Sequence, residues 1–337
     1  MSSERIKAQK ATLEFTLSSE DQELFKAAWQ TARAHHGHTF SFYLPGMIRY
    51  GRQRGRYPAI SITGNQCELL CEHCKGKLLE PMIKVKSPEM MIRTSFHFAR
   101  NGADGILITG GADRTGMLPW ELYHEAIRRV KEETSLYLSA HVGFPDSESC
   151  RFLKDAGLDQ ALIDAVGDER TAKGVYHLPG LRPVIKALDA IKQSGLALVP
   201  HVVAGLHYGE IGTEYGALEI ISRFRPEALV IVVLTPLKGT PMSDVSTPAP
   251  LEVGRLIARA RLLIPEIPIS LGCERPRNRQ GWLMERLAIR AGANRMAIWS
   301  KQAIEECKTL GLNLRFQATC CSLNYNDQLS AIGPENP

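Results

Sequence analysis

Three cysteines stand close together in the segment SITGNQCELLCEHCKGK, at Cys67, Cys71 and Cys74. The spacing is Cys-x3-Cys-x2-Cys, and it follows directly after a strongly β-forming run, 58–62. Three thiolates on one short loop can hold three irons of a 4Fe-4S cluster and leave the fourth iron without a protein ligand. A structural site is normally closed by a fourth ligand, so the open position indicates chemistry on a small chelating molecule. The alternatives are a zinc site or a chance grouping of buried thiols.

A second group of thiols is spread over two distant segments. Cys273 lies among cationic residues in GCERPR, beside Arg275, which is a candidate cofactor contact, and the tail of the chain contains Cys320, Cys321 and Ser322. About nine residues at roughly 3.3 Å each separate the last predicted helix from the tail cysteines, which is enough to cover the height of a barrel. The three cysteines, with Ser322 or an external atom at the fourth iron, are therefore predicted to hold a second, auxiliary 4Fe-4S cluster. The alternative is that the tail pair only packs.

The first cysteine loop resembles the signature of the radical S-adenosylmethionine (SAM) enzymes. The resemblance implies that the reduced cluster passes one electron to the sulfonium of SAM and that His73, inside the motif, lies against the cofactor. It also implies that the product is a 5′-deoxyadenosyl radical, which abstracts hydrogen from an unactivated carbon. A second cluster in the same cavity could then donate a sulfur atom to the carbon radical, as in biotin and lipoyl synthases.

Paired glycines follow the second predicted strand, at Gly110 and Gly111, and Asp113 comes two residues later. Glycines let a ligand approach the bare backbone, whose amides and carbonyls can bind the charged ends of an amino acid. The segment resembles the motif that binds the amino group of SAM, which often reads Gly-Gly-Glu. Here the acidic residue stands one position further along.

Polar or small residues follow three later strands and are candidate contacts for ribose, adenine or substrate. His141 ends the third strand, where a core histidine is an equal alternative, and Asp164 lies on the fourth. The fifth delivers His201 and the run Val-Val-Ala-Gly that ends at Gly205. That run resembles the backbone stretch that surrounds adenine in this superfamily.

A narrower resemblance rests on four segments: PAISITGNQCELLCEHCKGKLLEPM, LIDAVGDERTAKGVYHL, LGCERPRNR and ATCCSL. Together they look like the second component of the two-protein, archaeal-type lipoyl synthase, a biotin-synthase-related family. The resemblance covers most of residues 40–325. It implies a sulfurtransferase that inserts one sulfur into an octanoyl chain carried by a lipoyl domain or H protein, with a paralogous radical SAM subunit installing the other. An electron donor such as ferredoxin or flavodoxin is implied as well.

Composition limits the class of protein. The chain has 337 residues, a net charge of +5, 44% hydrophobic and 23% charged residues, which are values typical of a globular protein. Neither a membrane-spanning run, a signal peptide nor a nucleic-acid module is evident, so we expect no membrane or nucleic-acid partner. Eight cysteines without an export signal indicate a reducing compartment, the cytoplasm. Cys150 and Cys307 fall within helical patterns and are expected to be small core residues.

Short β-branched runs alternate with amphipathic segments from residue 58 onward. This alternation predicts a (β/α)8 TIM-type barrel, with an open doubly wound sheet as the alternative. Residues 1–57 are predicted to form an N-terminal extension with one helix at 20–35, residues 58–310 the barrel, and residues 311–337 a tail that contributes to the auxiliary cluster. The predicted strands are 59–63, 105–109, 136–142, 160–166, 196–203, 228–234, 267–272 and 295–299. The predicted helices are 87–101, 119–133, 146–156, 181–194, 212–224, 250–263, 281–291 and 301–310.

Overall fold

The computed structural model describes residues 17–324 and 329–332, which are built round one large β-sheet. The strands are β1 (Thr39–Tyr43), β2 (Arg49–Tyr50), β3 (Gln53–Arg54), β4 (Ala59–Ser61), β5 (Ile83–Lys84), β6 (Gly105–Thr109), β7 (Tyr137–His141), β8 (Gln160–Asp164), β9 (Ala197–Ala204), β10 (Leu229–Val233), β11 (Ile269–Leu271), β12 (Arg295–Ala297) and β13 (Asn313–Gln317). The helices are α1 (Ser19–His36), α2 (Pro88–Arg100), α3 (Trp120–Glu133), α4 (Ser147–Asp155), α5 (Glu169–Gly174), α6 (Arg182–Gln193), α7 (Thr213–Ser222), α8 (Pro250–Leu263), α9 (Arg279–Arg290) and α10 (Lys301–Thr309), with a 3-10 helix at Lys77–Leu79.

The main sheet has eleven strands in the order β13-β1-β12-β11-β10-β9-β8-β7-β6-β4-β5. Each neighbouring pair in this order is parallel, while β2 and β3 form a separate antiparallel hairpin. From β6 to β12 the order in the sheet follows the order in the chain, and at least one helix connects each strand to the next. Repeated right-handed β/α units of this kind produce a parallel sheet covered by helices.

The segment that precedes β4 joins the β13 edge of the sheet to the strands at its other end. The backbone N–H of Arg56 donates to the carbonyl of Ala318, just beyond β13, at 2.6 Å, and the carbonyl of Arg56 accepts from Asp104, just before β6, at 2.9 Å. The Ser330 hydroxyl lies 2.7 Å from the Arg56 guanidinium and 3.0 Å from the Asp104 carboxylate. The sheet is therefore curled into a barrel with a seam beside β13, which confirms the predicted fold class.

Three strands of the sheet lie outside the eight that were predicted. β1 falls in the predicted extension and β13 in the predicted tail, where they pair in parallel with each other, and β1 also pairs with β12. β5 extends the opposite edge beside β4. The barrel therefore begins before residue 58 and ends after residue 310, and its sheet has eleven strands in an open order instead of eight in a closed ring. The predicted helix at 20–35 is confirmed as α1.

Side chains alternate between the two faces of each strand, and this alternation builds separate cores. On β6, Ile106 and Ile108 face the surrounding helices, while Leu107 faces the interior of the barrel. The interior cluster is small and includes Val199, Val230 and other residues near the barrel axis. Leu107 is half-buried within it, whereas both isoleucines are fully buried. The interior is thus less tightly filled than the outer core.

The chain after β13 turns into the barrel. The Ser270 hydroxyl on β11 donates to the carbonyl of Cys321 at 2.9 Å, and the Gln160 side-chain amide on β8 donates to the carbonyl of Ser322 at 3.2 Å. Cys321 is buried among interior residues. Inward-facing polar side chains of two strands therefore bind the backbone of the tail.

Arg275 forms a buried ion pair that fixes the loop after β11. Its guanidinium lies 2.6 Å from the Glu285 carboxylate, and it also donates to the carbonyls of Gly272, Ala297 and Ile298. These contacts hold the loop against α9 and β12. Both Nη1 and Nη2 of Arg275 therefore bind other protein groups, and contact between Arg275 and a cofactor remains a prediction.

We expect Glu285→Gln to lower the free energy of unfolding by about 3–5 kcal/mol, because it leaves the Arg275 guanidinium buried without a counter-charge. Urea unfolding monitored by circular dichroism measures the effect. Glu132→Gln is the matched control, since Glu132 pairs with Arg128 on the exposed face of α3, and there we expect no measurable change. Equal stability of the two variants would contradict the prediction.

Candidate functional site

The three motif cysteines lie on the loop that follows β4, at the carboxyl edge of the sheet. The loop folds back on itself through hydrogen bonds from the N–H groups of Cys74 and Lys75 to the carbonyl of Cys71, at 3.2 and 2.9 Å. Leu70 and Lys75 both have a φ of 46°, the left-handed region that non-glycine residues seldom adopt. Cys71 is buried, and Cys67 and Cys74 are half-buried. The loop thus presents three free thiols from one compact turn.

Cys74 is ready to serve as a metal ligand. A hydrogen bond from the Cys71 thiol, together with one from His73, lowers the pKa of Cys74 to about 4. The same contact with Cys74, reinforced by burial, raises the pKa of Cys71. Burial opposes protonation of His73, but its hydrogen bond to Cys74 raises its pKa overall. These hydrogen bonds thus favour the thiolate form of Cys74, which is the form that binds metals.

A second segment, at the end of α5, anchors the cysteine loop. The two ring nitrogens of His177 lie 2.9 Å from the carbonyl of Leu69 and 2.8 Å from the carboxylate of Glu72. His177 has a φ of 56°, and the N–H of Glu72 donates to the carbonyl of Val175 at 2.9 Å. Motif spacing did not single out His177, although it lies in the segment LIDAVGDERTAKGVYHL on which the family resemblance partly rests.

The paired glycines pack directly against the cysteine loop. The N–H of Gly111 donates to the Thr63 hydroxyl at 2.6 Å. A Cβ atom at Gly111 would lie 1.9 Å from the carbonyl oxygen of Gln66 and 2.5 Å from Cα of Cys67, whereas one at Gly110 would have its nearest contacts at 3.1 Å. Backbone atoms cannot yield as a flexible side chain does, so position 111 requires glycine for the loop to sit where it does.

Gly111→Ala is expected to displace the cysteine loop. We expect a loss of about 1–3 kcal/mol in unfolding free energy, as for other overpacked positions, together with a lower iron content after anaerobic reconstitution. Thermal unfolding and iron analysis measure the two effects. Gly174→Ala is the control, because no heavy atom lies within 4 Å of the added methyl group. Normal iron binding by the Gly111 variant would show that the contact is unimportant.

Asp113 is bound within its own turn. Its Oδ1 atom accepts from the N–H groups of Thr115 and Met117 at 2.8 and 3.0 Å, and from the Thr115 hydroxyl at 2.7 Å. These hydrogen bonds, acting against partial burial, lower its pKa. The carboxylate thus stabilises the loop after β6, and contact between Asp113 and a cofactor remains a prediction.

Four polar side chains meet inside the barrel near the cysteine loop. The Tyr176 hydroxyl donates to Asp164 at 2.9 Å, and the Tyr176 ring lies 5.6 Å from that of His73 on the loop. The rings of His141 and His201 are 4.7 Å apart. Burial lowers the pKa of both, that of His201 to about 3, so both imidazoles are neutral. Three strands thus bring the predicted polar residues to one place; Tyr176 was not predicted.

Gly205 lies in a tight turn beyond β9. Its φ is 79°, and a Cβ atom there would lie 2.3 Å from a ring carbon of Pro248. The N–H of Gly205 donates to the Glu214 carboxylate at 2.7 Å. The turn therefore requires glycine, for its positive φ and for its close contact with Pro248. The contact between Gly205 and adenine remains a prediction.

The second set of cysteines also comes together. Cys273, in the loop after β11, packs against Cys321 in the interior of the barrel. A hydrogen bond from the Cys321 thiol, with one from the N–H of Ser322, lowers the pKa of Cys320 to about 6. Burial raises the pKa of Cys273 to about 11. Two segments separated by almost fifty residues therefore meet, with one thiol already poised to ionise.

Within residues 17–324 and 329–332, no three His, Cys, Asp or Glu side chains form a site for a single metal ion. In the same ranges, no helix has both the length and the apolar character needed to cross a bilayer.

No protein-family model matches the chain. It is 25% identical over 234 residues to a biotin synthase of Acaryochloris marina, an alignment covering 67% of this chain and 66% of that protein. It is 26% identical over 226 residues to a biotin synthase of Beijerinckia indica, covering 64% and 69%. The chain thus spans about two thirds of the length of these curated relatives.

Two solved structures share the fold. Methylornithine synthase (PylB) superposes with a TM-score of 0.63 and 16% identity, covering 89% of this chain and 90% of that one. HydG, a maturase of the [FeFe]-hydrogenase, superposes with a TM-score of 0.65 and 14% identity, covering 93% and 74%. At these identities the likeness concerns the barrel architecture alone.

Proposed function

We propose that this chain, whose relatives and barrel fold support the radical SAM superfamily, is a sulfur-inserting enzyme of lipoyl synthase type. One observation carries the proposal. Cys273, Cys320 and Cys321 meet inside the same barrel whose carboxyl edge holds the Cys67–Cys71–Cys74 loop. Two separate thiol sets on one barrel suit a reaction in which one site generates a carbon radical and the other supplies sulfur.

The residues of the first loop fit a 4Fe-4S cluster with one open iron. Three free thiols come from one turn, hydrogen bonds lower the pKa of Cys74, and Gly111 lets the loop pack closely against β6. When bound, such a cluster supplies the electron that breaks a carbon–sulfur bond of SAM. The protein would orient SAM with Asp164, which Tyr176 holds in place.

The residues of the second set fit an auxiliary cluster. Besides the three thiols, several buried oxygens around them have no hydrogen-bond partner among the described residues, including the hydroxyls of Tyr43 and Thr319. Buried polar atoms are nearly always satisfied, so unsatisfied ones beside thiols indicate a missing group. When bound there, a second cluster would be the source of the inserted sulfur.

The interior of the barrel suits an aliphatic substrate. Leu107, Val203 and Val232 lie on inward-facing positions of β6, β9 and β10, and each is half-buried although its strand is central. Aliphatic side chains at such positions would form an apolar lining for a ligand at the barrel axis. They could hold an extended alkyl chain between the two thiol sets. This lining supports the octanoyl chain that the family resemblance implies.

The proposed substrate is thus an octanoyl group on a lysine of a lipoyl domain or H protein. Its partners would be that carrier, a paralogous radical SAM subunit for the other sulfur, and a ferredoxin or flavodoxin as electron donor. The specific substrate rests on resemblance in sequence, since the curated relatives reported above are biotin synthases.

The alternative function is a different radical SAM reaction. The relatives favour a biotin-synthase-like activity on another small molecule, and a mutase, dehydrogenase or methylase would use the second set for structure or electron relay. In each of these the first loop keeps its role, and only the fate of the carbon radical differs.

Mass spectrometry separates these functions. The anaerobically reconstituted protein is incubated with SAM, a reductant and an octanoylated lipoyl-domain peptide, with and without a paralogous subunit, and in parallel with the sulfur-free precursor of biotin. We expect deoxyadenosine in all reactions and a mass gain of one sulfur on the octanoyl peptide. Sulfur on the biotin precursor alone would select the biotin-like alternative, and no added sulfur anywhere would favour a non-sulfur reaction.

A further inference from the structure

Tyr43 is the last residue of β1, and its side chain lies inside the barrel. It is fully buried and belongs to the interior cluster that contains Val199, Ala297 and Cys321. Cys273 packs against the same cluster. A tyrosine from a strand near the seam thus reaches the place where the second thiol set meets.

The hydroxyl of Tyr43 has no hydrogen-bond partner among the described residues. Ser41, two positions earlier on β1, lies beside it without hydrogen-bonding geometry. A buried tyrosine hydroxyl normally has a partner, because burying it unsatisfied costs free energy that a phenylalanine would avoid. The oxygen therefore points to a group that the polypeptide itself does not supply.

The surroundings of this oxygen are those of a ligand. Tyr43 interacts electrostatically with the thiols of Cys320 and Cys321 and with the guanidinium of Arg295. Arg295 is held in place by the carbonyl of Leu323, at 3.1 Å from its Nη1 atom, and by a hydrogen bond to the Asn324 side chain. A fixed positive charge thus lies beside the phenol and the thiols.

We propose that the Tyr43 hydroxyl oxygen is the fourth protein ligand of the auxiliary cluster, on the iron that Cys273, Cys320 and Cys321 leave open. The proposal rests on the proposed function only in requiring a cluster at this site. As the iron–oxygen bond forms, the phenol O–H bond breaks and its proton passes to solvent, with no transfer of electrons. Ser322 is the other oxygen candidate, because its buried hydroxyl also has no hydrogen-bond partner among the described residues, and the variants below separate the two.

The test uses the full chain with Cys67, Cys71 and Cys74 replaced by alanine, so that only the second set can hold iron. This parent protein is reconstituted anaerobically with 57Fe and sulfide. Iron and sulfide analysis gives the stoichiometry, and Mössbauer spectroscopy distinguishes an oxygen-ligated iron from three sulfur-ligated ones. Absence of any cluster in this parent would refute the auxiliary site itself, and the Tyr43 assignment with it.

Tyr43→Phe in the same background keeps the ring and removes the oxygen. We expect the distinct iron subsite to disappear and one iron per cluster to be lost to a chelator about tenfold faster or more. Tyr50→Phe is the matched control, because Tyr50 is also buried with an unpartnered hydroxyl but packs at a tilt against Trp299, with ring centroids 4.6 Å apart, in the outer core. Its spectrum should match that of the parent.

Ser322→Ala completes the comparison. If Tyr43 is the ligand, Ser322→Ala retains the oxygen-ligated subsite. A cluster whose spectrum and chelation rate are unchanged in Tyr43→Phe would overturn the inference, and the second set would still stand as a cluster site. Loss of the subsite in Ser322→Ala with its retention in Tyr43→Phe would assign the ligand to Ser322.

Discussion

Cys71→Ala is expected to abolish the cleavage of SAM, lowering deoxyadenosine production by about 10³-fold or more, the scale on which removal of one member of a catalytic unit acts. Cys71 is the buried member of the loop, and its thiol supports the thiolate of Cys74. Its loss removes one iron ligand and the hydrogen bond that lowers the pKa of another. Chromatographic measurement of deoxyadenosine after reduction with dithionite gives the rate.

Cys150→Ala is the matched control for this variant. Cys150 is fully buried on α4, in the core outside the sheet. Its replacement should lower stability modestly, by about 1 kcal/mol, and leave SAM cleavage unchanged. If Cys71→Ala still produces deoxyadenosine at the parental rate, the loop does not hold the reactive cluster, and the proposed function is wrong.

Cys321→Ala is expected to separate the two halves of the reaction. The variant should still produce deoxyadenosine, because the first loop is untouched, while sulfur insertion should fall by about 10³-fold or more. Cys321 is buried at the interior site with Cys273, and the carbonyl of Cys321 already accepts from Ser270. Its backbone contact survives the substitution, so the tail should remain in place. Deoxyadenosine and sulfur-containing product are measured in the same reaction.

Cys307→Ala controls for the loss of a buried thiol near the end of the chain. Cys307 lies on α10 in the outer core, and its replacement should leave both products in their parental ratio. Normal sulfur insertion by Cys321→Ala would exclude the second set as the sulfur source and would favour a structural or electron-relay role for it.

Local sequence patterns were sufficient for most of the fold. Runs such as 105–109 and 229–233 are apolar and β-branched because their strands are buried on both faces, and each is followed by an amphipathic helix. β1 and β13 were missed for a physical reason. They pair with each other across more than 270 residues, and β13 alternates exposed and half-buried residues as an edge strand does. No local pattern reports a pairing of that range.

The residues of the candidate site likewise divide into those that local sequence predicts and those that depend on the fold. The cysteine loop could be predicted because all its ligands share one short segment. The convergence of Cys273 with Cys321 could be anticipated from chain length and strand order, and the structure brings them together. Tyr43 and His177 could not be predicted, because each acts through the fold: one reaches the interior from a strand at the seam, and the other binds the cysteine loop from more than a hundred residues away.

The position of the tail inside the barrel has a consequence for biosynthesis. Residues 313–323 leave the ribosome after all the other strands. A nascent chain without them lacks both the strand that pairs with β1 and the tail segment that packs inside the barrel. Iron delivered at that stage can be accepted at residues 67–74 but not at the interior thiols, two of which have yet to emerge. If both proposed clusters form, iron delivered before chain release would therefore load the first cysteine loop before the second set, and a bulky fusion at the carboxyl terminus should hinder only the second set.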